Sequence, residues 1–490
     1  RTEPAHFDPN GFNQQILALT SVGKLFALHS SDGRILWAKN YGQLSTFADM
    51  WVYKQHSLHR GIEVALVSKL KASGDETAML STIDGWTGEI LTKRRLRSAS
   101  SSVVKLQPAG PSSLQAALLV DYQAGKADVL AEEEAVAEIL QGLQSTYVFN
   151  VDEDEHAASG YMLASSKDQA EALTLTNLWR FKVPSGDKIV GFGSPNYFQN
   201  IYSRTRVLGD RSALYKYTNP NTLFVAAESE GDSGSPKITV YLLDTVTGKL
   251  LYSITHKDAQ GPVHVVFHEH WIVYKYWNTR ANRDEMSVME LYEDEPLKNS
   301  MSVSSYLFDL VTKANQTSTV SSYNPLNLRV LGQSYVLSTG LKTMTVTSSS
   351  LGMTANQVLV GTLSDQVYAI DKKLLDPRRP VKPSAADKEE GLIPYNEFLP
   401  IAPQKFVTHT HQVMGLKEIQ CFPTRRESSI LMLAHGIDVF YTRLMPSKSF
   451  DMLEDDFSYS LLVTTILGLL IAAFVVNGKV KKDNVKRNWV

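Results

Sequence analysis

Apolar and polar residues alternate along most of this chain in short runs, and the runs are separated by turn residues rather than organised at helical spacing. Residues 15–41, QILALTSVGKLFALHSSDGRILWAKNY, read as a strand, a glycine turn, a strand, an Asp-Gly turn and a strand carrying Trp37. Alternation of this kind marks half-buried strands, and Asp-Gly between two of them marks a hairpin, so the stretch is a double hairpin. The unit returns as AMLSTIDGWTGEILTKRRL over 78–96 and as ITVYLLDTVTGKLLYSI over 238–254, with weaker copies near Leu307, Tyr368 and Phe440. LTLTNLWRFKV over 173–183 supplies the outer strand of one more. The copies recur at about 55 to 70 residues, longer than the ~40 to 50 of familiar propeller blades, so loops must decorate them.

Short strands repeated in this way predict an all-β fold, a β-propeller of about seven or eight blades, because radial closure leaves few free sheet edges. The turn residues Gly33, Gly88 and Gly248 are expected at positive φ, and Trp37 between neighbouring blades. These are structural roles. Two segments interrupt the pattern. DVLAEEEAVAEILQGLQ over 128–144 places Val136, Ile139, Leu140 and Leu143 on one helical face, with Asp128 as N-cap. Such a helix either docks a partner or covers the propeller rim. Residues 372–403, with LLDPRRPVKP and GLIPYNEFLPIAP, are expected to form a long inter-blade loop, since proline cannot donate to a sheet ladder.

The pattern changes once more near the end. Residues 459–476, YSLLVTTILGLLIAAFVV, hold no charge and at about 1.5 Å per residue extend about 27 Å as a helix, enough to cross a thin bilayer. Asp451, Glu454, Asp455 and Asp456 precede the run, whereas Lys479, Lys481, Lys482, Lys486 and Arg487 follow it. Positive flanks stay in the cytosol. The expected organisation is therefore a lumenal propeller over 1–445, an acidic juxtamembrane segment over 446–458, a span over 459–476 and a basic cytosolic tail over 477–490. Thr464, Thr465 and Gly468 give the span one small, weakly polar patch on which a neighbouring helix can pack.

Composition narrows the chemistry. A net charge of -2 with 20% charged residues gives no reason to expect a nucleic-acid partner. The single cysteine, Cys421, excludes an intrachain disulfide. The opening RTEPAHFDPNGFNQQ has neither a basic n-region nor an apolar h-region, and a lumenal protein needs an entry signal, so more chain is expected upstream. Asn315-Gln316-Thr317 is the only N-x-S/T site and lies on the glycosylation side of this topology.

Gly231-Asp232-Ser233-Gly234-Ser235-Pro236 resembles the nucleophile loop of trypsin-like proteases, but no histidine segment resembles their partner and no disulfide is possible. It reads as a hairpin loop. His264, His268 and His270 share parity, so one extended strand would point them the same way; strand histidines without a fourth ligand favour packing over zinc, and the pair His409 and His411 is similar. No P-loop, GxGxxG or CxxC is present. Catalytic, metal and cofactor residues are therefore not assigned.

The repeat resembles those of quinoprotein dehydrogenases, whose propeller encloses pyrroloquinoline quinone and a metal, commonly under a disulfide of adjacent cysteines. With one cysteine, a cofactor-free scaffold similar to the bacterial outer-membrane assembly propeller fits better. From Arg206 onward the resemblance becomes close. RVLGDRSALYKYTNPN over 206–221, GPVHVVFHEHWIVYKYWNTRANRDEMSVMELYE over 261–293, LLDPRRP over 374–380, GLIPY over 391–395 and GIDVFYTRLMPSKSFDMLEDDFSY over 436–459 occur in order before the span. In these motifs the chain resembles the family of subunit 1 of the endoplasmic reticulum membrane protein complex. KLFALHSSDGRILW agrees as well, whereas about 106–193 matches poorly.

The resemblance implies a large lumenal scaffold subunit, here its second half, in an energy-independent insertase for tail-anchored and multi-pass proteins. Its implied partners are other subunits, client transmembrane proteins and the lipid bilayer, and no cofactor is implied. Two further readings remain from other classes. One is a membrane-anchored quinoprotein-like oxidoreductase, and the other is a single-pass receptor or cargo adaptor with a ligand-binding propeller.

Overall fold

The computed structural model describes residues 10–41, 45–54, 62–72, 75–95, 102–106, 117–130, 146–165, 172–231, 234–293, 322–323, 327–447 and 458–488. The alternating segments become antiparallel sheets arranged as a seven-bladed propeller. Blade 1 holds strands Gln15–Leu19, Lys24–His29 and Ile35–Asn40. Blade 2 holds Ser45–Lys54, Glu63–Ala72, Asp75–Asp84 and Ile90–Arg95. Blade 3 is a six-stranded sheet; one half is Ser102–Lys105, Ala117–Asp121 and Lys126–Leu130, and the other is Ala172–Lys182, Ala157–Ser165 and Tyr147–Asp152.

Blade 4 holds Lys188–Gly193, Thr222–Glu230, Pro236–Asp244 and Leu250–Lys257, and a two-stranded ribbon, Thr205–Val207 with Ala213–Tyr215, stands in its first loop. Blade 5 holds Ala259–His268, Trp271–Asn278, Arg283–Glu293 and Leu328–Leu337. Blade 6 has Leu341–Val346, Gln357–Thr362 and Val367–Asp371, and blade 7 has Glu418–Pro423, Ile430–His435 and Val439–Leu444.

From blade 1 to blade 7 each successive pair buries its own core, so stability is distributed along the ring. Leu25 and Ile83 join blades 1 and 2; Val67 and Leu119 join 2 and 3; Ala158 and Leu223 join 3 and 4. Phe224 with Tyr274, Val288 with Val358 and Val367 with Ile419 continue the series through blade 7. The halves of blade 3 also pack on each other, through Leu118 and Val120 against Val148 and Leu163. Fully burying such side chains contributes about 1.5–3 kcal/mol apiece. Blade 7 meets the start of the chain where Arg425 N–H donates to Asn10 O at 3.2 Å and Arg443 covers the Phe12 ring at 4.3 Å.

The repeated turn has a specific construction. Asp244 Oδ1 accepts the Val246 and Thr247 N–H groups at 3.0 and 2.9 Å, and Gly248, at φ 70°, closes the turn by donating to Asp244 O at 2.8 Å. Asp84 and Gly88 repeat it, with Trp86 N–H on Asp84 Oδ1 at 2.8 Å and Gly88 at φ 68°. In both, the glycine also admits a tryptophan from the preceding blade. Trp37 lies over Gly88, where an added Cβ would stand 2.7 Å from the indole, and donates to Gly85 O at 3.1 Å. Trp179 covers Gly248 and donates to Thr245 O at 2.9 Å. Gly33, at φ 69°, turns a hairpin with open space around it.

One expectation fails here. Asp128 is no helix N-cap: it belongs to strand Lys126–Leu130, paired with Leu119 and with Ala172, because two neighbouring strands satisfy its backbone. Residues 131–145 lie outside the described residues, as do Asn315, the weak repeat around Leu307 and most of 446–458. The 372–403 connection carries a short helix α1, Ala385–Glu390, closed by a Ser384–Asp387 capping box. Helix α2, Tyr459–Asn488, is a separate unit of the chain. It is long and apolar enough over Tyr459–Lys482 to cross a membrane, and its helical backbone runs past the expected span into the basic tail.

Candidate functional site

The antiparallel order puts the loop after the first strand of a blade and the turn after the third at the same end of the ring. In blade 4 the two meet where Thr245 N–H donates to Asn221 O at 2.8 Å. At this end, over blade 5, the chain gathers a partly buried cluster of charge. Arg206, on the blade 4 ribbon, donates from Nη2 to Asp376 Oδ2 at 2.5 Å and from Nε to Glu390 Oε1 at 3.2 Å, and its Nη1 stands 3.8 Å from Glu290 Oε2. Glu290 also accepts from Lys372 Nζ at 2.6 Å and from the Tyr292 hydroxyl at 2.5 Å. Arg378 reaches Glu390, so three cations balance three carboxylates.

Charge this deep is tolerated only when each group is paired and hydrogen-bonded. Burial alone would raise the Glu290 carboxyl, but Lys372, His270 and the Tyr292 hydroxyl hold it down at about 2. Burial works to lower Arg206, yet Asp376 and Glu290 outweigh it and leave the guanidinium above its ordinary range. Next to them Glu269, 3.2 Å from Lys216, is likewise held at about 2 against its burial, by His270 and Lys216.

Arg379 serves the backbone instead. Its guanidinium donates to Leu374 O at 2.6 Å, Pro394 O at 2.5 Å and Ile393 O at 3.2 Å. Tyr335 beneath it donates to Asp376 O at 2.7 Å, and Tyr395 donates to Ser334 O at 2.9 Å. Gly209 lies against Ala386 of α1, too close for a Cβ. The ribbon, the top of blade 5 and the loop that crosses it are therefore one fastened unit. In it each carboxylate faces a cation and each hydroxyl a carbonyl or carboxylate, an arrangement suited to fixing shape.

The profile of the family described as "ER membrane protein complex subunit 1, second beta-propeller" matches residues 11–447. The chain belongs to the subunit 1 family of the ER membrane protein complex. It is 30% identical to ER membrane protein complex subunit 1 of Gallus gallus over 98% of this chain and 47% of that protein, and 30% identical to that of Xenopus laevis over the same shares. The Schizosaccharomyces pombe protein of that name is 28% identical over 72% of this chain and 37% of its own. The chain thus spans about half the length of the curated relatives it matches. Among solved structures it is similar to BamB from Moraxella catarrhalis, with 9% identity and a TM-score of 0.27 over 89% of this chain and 94% of that one.

Four of the motifs by which the sequence resembles the subunit 1 family meet in the cluster. Arg206 comes from RVLGDRSALYKYTNPN, Glu290 and Tyr292 from MELYE, Asp376 to Arg379 from LLDPRRP, and Ile393 to Tyr395 from GLIPY. Sequence reasoning assigned no role to these charges. The available signal was Glu290, a carboxylate set between the buried apolar residues Met289 and Leu291.

The histidines do not converge as their parity suggested. The strand ends at His268, and Glu269 turns at φ 50°, so His270 leaves the ladder. Burial lowers His268 to about 4, and among the described residues no group of His, Cys, Asp and Glu is arranged to hold a metal. His411 pairs with Asp438 at 3.1 Å and stacks on Phe440. Residues 231–235 close the hairpin between strands two and three of blade 4, with Gly231 N–H on Ser235 O at 2.7 Å, and Ser233 lies outside the described residues. Burial pushes the Cys421 thiol up to about 12, which leaves it a packing group. In α2 the Thr464 hydroxyl returns to Ser460 O and Leu461 O at 3.0 and 2.9 Å, and Thr465 returns to Leu462 O at 2.8 Å, while Gly468 has open space.

Proposed function

We propose that this chain is a non-catalytic scaffold within an energy-independent ER machine that inserts tail-anchored and multi-pass proteins. Its propeller stands in the lumen, its span is α2 and its basic tail is cytosolic. The family membership and the apolar helix support this reading, and the charge flanks of the helix give its direction. The observation that carries it is the fastened cluster, in which paired charges and backbone hydrogen bonds pin the ribbon, α1 and the inter-blade loop to blade 5. Insertion needs a polar path for the translocated flank and a lowered membrane barrier, with no covalent step. A chain whose span is uncharged contributes by holding other subunits in place, and Thr464, Thr465 and Gly468 offer a patch of the span where a helix backbone can come close.

Gentle-detergent purification of the tagged full-length protein from its own ER membranes tests this. The expected result is a fixed set of co-purifying membrane subunits, and an Arg206→Ala variant should retain fewer of them. Recovery of the chain alone, at full yield and folded, would remove the scaffold reading.

A further inference from the structure

His270 lies two residues past the end of strand Ala259–His268 and is only 4% exposed. Its ring stands edge-on to Tyr292, with centroids 5.4 Å apart, yet neither ring nitrogen has a hydrogen-bond partner in the protein. Nδ1 is 3.7 Å from Glu269 Oε2, too far for a direct bond. Gln199, in the first loop of blade 4, has the same deficit. Its Oε1 accepts the Glu269 N–H at 3.2 Å, which sets the orientation of the amide and makes the buried Nε2 a donor with no protein acceptor.

Native interiors seldom leave buried polar groups unmet, because the desolvation of each is then uncompensated. Here the unmet atoms belong to two side chains that both approach Glu269, one through its backbone N–H and the other through its carboxylate. A single partner can therefore serve both.

The surroundings define the chemistry of that partner. Lys216 faces Glu269 at 3.2 Å and Lys372 faces Glu290 at 2.6 Å, so the charges around the imidazole already cancel and no ion is called for. Among the described residues no group of His, Cys, Asp and Glu is arranged to hold a metal. Burial keeps His270 below its ordinary range and hence neutral, with one donor nitrogen and one acceptor. The Gln199 amide needs an acceptor, and the Glu269 carboxylate can take a further donor. A small neutral molecule that both donates and accepts meets these needs together. Water is that molecule: it bridges polar atoms held just beyond 3.5 Å, and a buried water makes about three hydrogen bonds.

We propose that ordered water is a built-in ligand of this site, held by Gln199 Nε2, the Glu269 carboxylate and the His270 ring. It joins the first loop of blade 4 to the top of blade 5 by a bridge that the side chains do not make alone. The scaffold reading does not depend on this ligand, so the two stand or fall separately.

A density map of the full-length protein, in the assembly with which it purifies and at a resolution that shows ordered solvent, tests the site. The expected result is a peak about 2.7–3.2 Å from both Gln199 Nε2 and a His270 ring nitrogen. An empty site, side chains repositioned so that protein groups satisfy both, or a peak at metal-ligand distances of about 2.0–2.2 Å would overturn the proposal. A double-mutant cycle supplies a second readout. Gln199→Met and His270→Phe are compared singly and together by thermal unfolding, and the lost bond to the Glu269 N–H is common to both members of the Gln199→Met pair and cancels. His270→Phe should lower the melting temperature by a few degrees in the unsubstituted chain and by much less in the Gln199→Met background. Equal losses in the two backgrounds, or a rise from His270→Phe alone, would remove the shared water.

Discussion

Arg206 and Asp376 stand 170 positions apart in the chain, and their side chains meet at 2.5 Å. The same guanidinium reaches Glu390 at 3.2 Å, so one residue of the blade 4 ribbon fastens both arms of the loop that crosses blade 5. Arg206→Ala leaves Asp376, Glu290 and Glu390 with less compensation. We expect a loss of about 3 kcal/mol of stability, the cost typical of removing one partner of a buried pair. Arg206→Lys keeps the charge without the fork and should fall between. Denaturant unfolding of the variants checks the order.

Acid should destabilise the ring in two successive ranges. Burial lowers His256 and His268 to about 4 from an ordinary 6.5, so the unfolded chain binds their protons first and stability declines as pH falls from 6.5 toward 4. Glu269 and Glu290, held near 2 from an ordinary 4.5, contribute stability that is present above 4.5 and lost as pH falls toward 2. Melting temperature measured against pH should therefore fall throughout from 6.5 to 2. Replacing His256, which bonds the Tyr274 hydroxyl at 2.6 Å, with Gln should make the upper part shallower, with His268 still contributing there, and leave the lower part unchanged.

The turn glycines separate two costs. Gly33→Ala meets open space at φ 69°, and only backbone strain of about 1 kcal/mol is expected. Gly88→Ala, at φ 68°, adds a Cβ 2.7 Å from the Trp37 indole and should displace it, for about 3 kcal/mol in total. Thermal unfolding of the two variants, with tryptophan fluorescence followed alongside, reads the difference.

These glycines also show how much was legible beforehand. The hairpins at Asp84–Gly88 and Asp244–Gly248 follow from local turn chemistry, which operates over five residues and leaves a mark in the sequence, whereas the packing of Trp37 on the next blade rests on the repeat. Asp128 misled because its segment has helical periodicity, whereas its neighbours Leu119 and Ala172 impose a strand, and pairing at that distance is invisible to a local pattern. The charge cluster was hidden for the same reason. Its motifs were recognised singly through their resemblance, but their meeting around Glu290 depends on blade closure.

Charge placed in α2 should abolish anchoring. Leu467→Arg or Leu470→Arg puts a guanidinium near the middle of the apolar stretch, at a cost of about 3 kcal/mol for insertion. Extraction of membranes with alkaline carbonate should release these variants and retain the unsubstituted chain.

The orientation of the ring is the assignment on which the rest of the function depends. In sealed ER vesicles, protease added from outside should remove only the basic tail after α2 and leave a protected fragment that carries the whole propeller. Digestion of the propeller while the vesicles remain closed would contradict a lumenal scaffold.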